Sequence, residues 1–103
     1  MTAPVEYDRS RLWVWPEWGS SGIWYPQMGS QLGHGGVSMV AHAALGLPDA
    51  LSERFSRWID WYDEYMPENP DQFPWPQFRQ EGQELAFELA RFVGSSYSVE
   101  YAG

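Results

Sequence analysis

Two amphipathic segments separated by a proline-rich linker limit most strongly how this chain can fold. In residues 49–66, apolar side chains recur at helical spacing and form one stripe: Leu51, Phe55, Trp58, Ile59, Tyr62 and Met66. A second segment, about 75–93, carries the stripe Phe78, Gly82, Leu85, Leu89, Phe92 and Val93. Prolines between the segments end the first helix and punctuate the linker. The sequence therefore predicts two helices that each bury one face, and Gly82 predicts the close approach of another backbone.

Short strands are expected on both sides of the helices. Residues 11–15 and 23–25, joined by a turn at 19–22, predict an N-terminal hairpin, and residues 97–101 alternate like a strand. Residues 27–46 predict a glycine-rich loop with a possible short helix over 37–45. Separate runs of strands and helices predict an α+β fold, in which a small antiparallel sheet (the hairpin plus the C-terminal strand) packs against the two helices. We expect residues 1–103 to form a single domain, with 1–9 as a flexible arm.

Composition excludes several kinds of chemistry. Cysteine and lysine are both absent, which excludes disulfides, thiolate metal sites, Cys nucleophiles, Schiff-base lysines and the lysine of a phosphate-binding loop. No apolar stretch approaches the ~20 residues that span a bilayer, and no signal-peptide pattern is visible. We therefore expect a cytoplasmic protein. A net charge of −8 disfavours nucleic acid and anionic membranes as partners and favours a basic protein.

The two histidines, His34 and His42, give no recognisable catalytic or metal motif. Their spacing matches no common metal site, and the glycines around His34 lack the residues that follow a phosphate cradle. We expect His34 to be solvated and His42 to be a partly buried structural residue. The sequence predicts no catalytic residue, no metal, no cofactor and no small-molecule ligand.

Acidic residues and off-core aromatics indicate a surface for a protein partner. Five acids and no base lie between Trp58 and Phe78, and three more acids form a stripe on the second helix. Such stripes are usually solvated faces, but they also suit a basic partner. Trp61 and Phe87 lie off the core stripes, as contact residues often do. The predicted partner-binding residues are Asp60, Trp61, Asp63, Glu64, Tyr65, Glu68, Glu81, Glu84, Phe87 and Glu88.

Several segments of the sequence together resemble a known family. They are Leu12-Trp13, Gly22-Ile23-Trp24-Tyr25, the helical pattern from Leu47 to Asp63, and the pattern from Phe78 to Val99-Glu100-Tyr101. With these residues the chain resembles small acidic bacterial immunity proteins that are encoded beside polymorphic or contact-dependent toxins. The resemblance covers about residues 11–25 and 47–101. It implies a binding protein, not an enzyme, that covers the active site of a cognate toxin with a basic cleft.

Two other functions stay open at this point. Trp13, Trp15, Trp18 and Trp24 could form a stacking platform for a glycan or a peptide, unless segment 27–46 covers that face of the sheet. A small enzyme would have to use His34 or His42.

Overall fold

A four-stranded sheet packed against two helices forms the architecture. The computed structural model of the protein describes residues 6–65 and 71–102, apart from the side chain of Tyr65. The strands are β1 (Arg11–Val14), β2 (Ile23–Pro26), β3 (Val37–Met39) and β4 (Ser98–Tyr101), and the helices are α1 (Asp49–Tyr65) and α2 (Trp75–Val93). Short 3₁₀ turns occupy His42–Leu45 and Gly94–Ser96. The predicted α+β class and the positions of both helices are confirmed.

The sheet is mixed, whereas the sequence led us to expect an antiparallel one. Its strand order is β3-β2-β1-β4; β1, β2 and β3 are antiparallel neighbours, and β4 runs parallel to β1 with Leu12 opposite Val99. Parallel neighbours need a crossover connection of about a dozen residues or more, and α1 and α2 supply it. The alternation of residues 97–101 predicts a strand but carries no information about its direction.

Segment 27–46 contains a third strand where we predicted at most a short helix. The backbone N–H of Val40 donates to the carbonyl of Ile23 at 2.9 Å, and that of Gln27 donates to Gly36 at 3.2 Å. These bonds place Val37–Met39 beside β2. Three residues are too short to show a strand period, so pairing with β2, rather than local pattern, decides their conformation.

The N-terminal arm is partly attached to the sheet. Tyr7 forms a bridge with Gln27, and the N–H of Asp8 donates to the carbonyl of Pro26 at 2.7 Å. Residues 1–5 of the predicted arm lie outside the described residues.

The core lies between the helices and one face of the sheet. Trp58 of α1 stacks on Phe78 of α2 with ring centroids 4.7 Å apart, and its indole N–H donates to the Phe78 carbonyl at 3.0 Å. The predicted stripes are buried or half-buried at nearly every described position. Phe92 is the exception: it lies at the edge of its stripe beside Leu51 and is 43 % exposed. Met66 lies outside the described residues.

Gly82 faces aromatic rings rather than another backbone. An ideal Cβ built on Gly82 would lie 2.6 Å from Cε2 of Tyr101 and 2.7 Å from Cζ2 of Trp58. The predicted close approach is therefore present, but the partners are side chains from β4 and α1. At Gly82, side chains of α1 and β4 therefore pack directly against α2.

Candidate functional site

Acidic side chains and two arginines line the surface that α1 and α2 share. We call this the helical face and define it by the residues that line its shallow grooves: Arg54, Arg57, Trp61, Glu81, Glu84, Phe87 and Glu88. Arg54 donates from Nε and Nη2 to Oε1 of Glu81 at 3.3 and 3.0 Å, and its Nη2 lies 3.8 Å from Oε2 of Glu84. No charge pattern in the sequence marks Arg54 as the partner of Glu81, which lies 27 residues later. Arg54 balances part of the negative charge that α2 presents.

Phe87 projects from the helical face, as its position off the core stripe of α2 predicted. Its side chain is 63 % exposed, and with Glu84 and Glu88 it lines a groove of about 370 Å³. Oε1 of Glu88 lies 3.6 Å from Nη1 of Arg91, whose guanidinium is 6.0 Å from the Phe87 ring. The arrangement is an apolar side chain beside carboxylates, which suits contact with a partner that carries both apolar and basic groups.

Trp61 packs against the core more closely than its position off the α1 stripe predicted. Its ring lies 5.5 Å from Phe78 and 5.6 Å from Phe73, and it is half-buried. Phe73 comes from the proline-rich linker, where no periodic pattern marked it as a core residue, although it is only 5 % exposed. The rest of Trp61 lines a groove of about 420 Å³ with Arg57 and Glu81, so its predicted binding role concerns one side of the ring.

The acids of α1 do not all belong to the helical face. Asp63 accepts hydrogen bonds from the backbone N–H of Gly19, at 2.9 Å to Oδ2 and 3.2 Å to Oδ1. Gly19 has φ +59° in the turn between β1 and β2, so Asp63 holds that turn against α1. Asp60 and Glu64 are exposed. The side chain of Tyr65 and the whole of Glu68 lie outside the described residues.

The turn that Asp63 holds also covers Tyr62. Trp18 is 53 % exposed and meets the Tyr62 ring edge-on at 5.6 Å. Burial raises the pKa of the Tyr62 phenol, and the negative charges of Glu17 and Asp63 raise it further. This side of α1 is therefore a contact between α1 and the hairpin.

We expect Asp63→Ala to lower the free energy of unfolding by about 1 kcal/mol, because it removes the charged acceptor of the Gly19 N–H. Asp60→Ala is the matched control, since Asp60 is exposed on the same helix; its effect should stay within ~0.5 kcal/mol. Urea denaturation measures both changes. Equal effects of the two substitutions would contradict the structural role of Asp63.

The four hairpin tryptophans do not form one open platform. Trp13 is 1 % exposed, and the Trp24 indole N–H donates to the carbonyl of Trp15 at 3.0 Å. The glycine loop borders Trp13 and Trp15, leaving only a groove of about 340 Å³ that Gly33 and Gly35 help to line. Segment 27–46 therefore covers part of this face of the sheet. This covering is the alternative that the sequence left open to an exposed tryptophan platform.

Comparison with known proteins shows which family the chain belongs to. The sequence matches the family model described as Serratia CdiI immunity protein-like over residues 10–103. The chain belongs to this family. A search of curated proteins found no match. The match includes segment 27–46 and confirms the resemblance to immunity proteins of contact-dependent toxin systems.

Membership of the Serratia CdiI immunity protein-like family supports an immunity function, the binding of a cognate toxin and a non-enzymatic role. Within residues 6–65 and 71–102, no group of three or more His, Cys, Asp or Glu side chains is arranged to hold a metal ion. In the same part of the chain, no helix has the length and apolar character needed to cross a membrane.

The histidines of this family member differ in their surroundings. His34 is exposed in the glycine loop. His42 is partly buried, with Nδ1 2.7 Å from Oγ of Ser52 and Nε2 2.9 Å from the carbonyl oxygen of Ser21. Its ring therefore ties the segment before α1 to the β1–β2 turn, and the predicted partial burial of His42 is confirmed.

Proposed function

We propose that this immunity protein neutralises its cognate toxin by covering the toxin's active site with the helical face. The observation that carries the proposal is Phe87, a large aromatic residue that is 63 % exposed beside the carboxylates of Glu84 and Glu88. Binding interfaces commonly centre on an aromatic anchor inside a polar rim. Phe87 has this position, and among the described residues it does not belong to the hydrophobic core.

Charge supports a toxin with a basic cleft. The whole chain has a net charge of −8, and Glu84 and Glu88 have side chains that are 54 % and 40 % exposed. Acidic surfaces of this kind accelerate encounter with a basic partner. We assign steering to Asp60, Glu64, Glu68, Glu81, Glu84 and Glu88, and anchoring to Trp61, Tyr65 and Phe87. Asp63 contributes to the field, although its carboxylate is engaged with Gly19.

The first experiment is protection of growing cells. Co-production with the toxin domain encoded by the adjacent reading frame should restore growth, as expected for a cytoplasmic inhibitor. Growth arrest in the presence of well-folded protein would contradict neutralisation of that toxin.

The second experiment locates the surface. We expect Phe87→Ala to weaken toxin binding about thirtyfold, which corresponds to about 2 kcal/mol, because the change truncates the anchor. Met28→Ala is the matched control: Met28 is 59 % exposed and lies at the end of β2, away from the helices. Calorimetric titration of both variants tests the proposal. If Phe87→Ala binds like the unmodified protein, or Met28→Ala weakens binding to the same extent, the toxin does not centre on Phe87.

A further inference from the structure

One edge of the sheet has an unusual lack of charge. No aspartate, glutamate, lysine or arginine occurs from Trp18 to Pro48, although the chain carries a net charge of −8. This stretch includes β2, the glycine loop and β3. Five of the large apolar side chains that the structure exposes come from this stretch, and two of them, Val37 (37 %) and Met39 (54 %), belong to β3. We call Val37, Ser38 and Met39 the neutral edge.

Within residues 6–65 and 71–102, no strand pairs with the outer side of β3. β3 is the outermost strand beside β2, and Ser38 lies opposite Tyr25. Gly36 and Val40 bond to β2, and hydrogen-bonded positions alternate along an antiparallel pair, so the N–H and C=O of Val37 and Met39 face outward. Sheet edges are normally protected by charges or prolines, and residues 37–39 contain neither. The opposite edge strand, β4, does carry a charge, at Glu100, which pairs with Arg11 at 3.3 Å.

We propose that the neutral edge joins two copies of this chain, through antiparallel pairing of β3 with β3 about a two-fold axis. With Ser38 opposite Ser38, Val37 of each copy lies opposite Met39 of the other, and their outward N–H and C=O groups can form four hydrogen bonds. The two sheets become one sheet of eight strands. The inference concerns self-association only and does not depend on the proposed function.

Charge favours a second copy as the occupant. Two bodies with a net charge of −8 repel each other through most of their surfaces, but the neutral edge lets them meet without placing carboxylates face to face. A basic toxin, in contrast, gains its attraction from carboxylates, and this edge offers none. The exposed side chains of Val37 and Met39 lie opposite Pro26 and Trp24 of β2, so the apolar surface extends across both strands.

Light scattering coupled to size exclusion tests the proposal on the full chain. We expect the mass to rise from 11.9 kDa towards twice that value with concentration. Met39→Glu should keep the protein monomeric, because it places two carboxylates in the joint. Phe87→Glu is the matched control: it adds the same charge at an exposed residue of the helical face, and its dimer fraction should equal that of the unmodified protein. Val37→Lys is a second edge variant in case Met39→Glu disturbs folding.

Salt provides an independent signature. Because the two bodies repel, added salt should strengthen self-association, whereas it should weaken the binding of a basic toxin. A mass that stays at 11.9 kDa up to millimolar concentration in high salt overturns the proposal. Unchanged self-association of well-folded Met39→Glu and Val37→Lys overturns it as well. If the edge variants reduce toxin capture and the unmodified protein does not self-associate, the edge serves the toxin, and the proposal is wrong.

Discussion

Replacing Gly82 by alanine is expected to lower the free energy of unfolding by about 1–3 kcal/mol. In an open helix the same substitution raises stability, by up to about 1 kcal/mol. Here the new methyl group would lie 2.6 Å from Tyr101 and 2.7 Å from Trp58, and both contacts are to rigid ring atoms. The Trp58 ring is held in place, because it is stacked on Phe78 and its indole N–H donates to the Phe78 carbonyl.

Urea denaturation of Gly82→Ala and of Gln83→Ala measures this effect. Gln83 is exposed on the same helix, so its replacement by alanine should leave stability unchanged or slightly raised. In a double-mutant cycle, Tyr101→Ala should recover part of the loss in the Gly82→Ala background, because one of the two clashing rings is gone. Stability of Gly82→Ala at or above that of the unmodified protein would show that the rings yield to the methyl group.

Reversing Glu84 and Glu88 to lysine is expected to slow association with the toxin about tenfold at low salt. Both residues flank Phe87, and long-range attraction of this kind can change association rates by about 10- to 1000-fold. Glu81 is left in place because Arg54 donates two hydrogen bonds to it, at 3.3 and 3.0 Å, whereas the Arg54–Glu84 contact that the reversal removes is longer, at 3.8 Å. The Glu88–Arg91 pair that is lost lies at the surface, where such pairs contribute little to stability.

The matched control reverses Glu6 and Glu17 to lysine, which changes net charge equally but at exposed positions outside the helical face. Stopped-flow association in a salt series separates the two variants. The difference between them should disappear at high salt, where surface charges are screened. Equal rates for both double variants at low salt would mean that total charge, and not the helical face, guides the encounter.

Much of the fold could be predicted because its largest elements carry strong local patterns. Over residues 49–65 and 75–93, helical spacing alone identified Phe55 and Leu85 as core and Phe87 as exposed. The third strand and the direction of β4 could not be predicted, because both depend on pairing with distant residues. The burial of Phe73 could not be predicted for a related reason: a single aromatic residue among prolines shows no period.

The candidate site was only partly predictable from the sequence. Spacing along α2 placed Glu81, Glu84 and Glu88 on one stripe; in the structure Glu84 and Glu88 line a groove with Phe87, and Glu81 lines a second groove with Trp61. Spacing could not show that Arg54, 27 residues earlier, binds Glu81, or that Asp63 holds Gly19 across 44 residues. Which carboxylates are free for a partner is therefore decided by tertiary contacts and not by the charge pattern.

The parallel pairing of β1 with β4 sets the order in which the fold can be completed during synthesis. β1 pairs with β2 on one side and with β4 on the other, so the pairing of Arg11–Val14 with Ser98–Tyr101 waits until those later residues leave the ribosome. Tyr101 also covers Gly82 and Trp58, so the core between the helices stays open on that side until then. Pairing over so long a separation slows folding and leaves it to follow synthesis. β1 precedes every other described element in the chain, yet it completes its pairing only with the last of them.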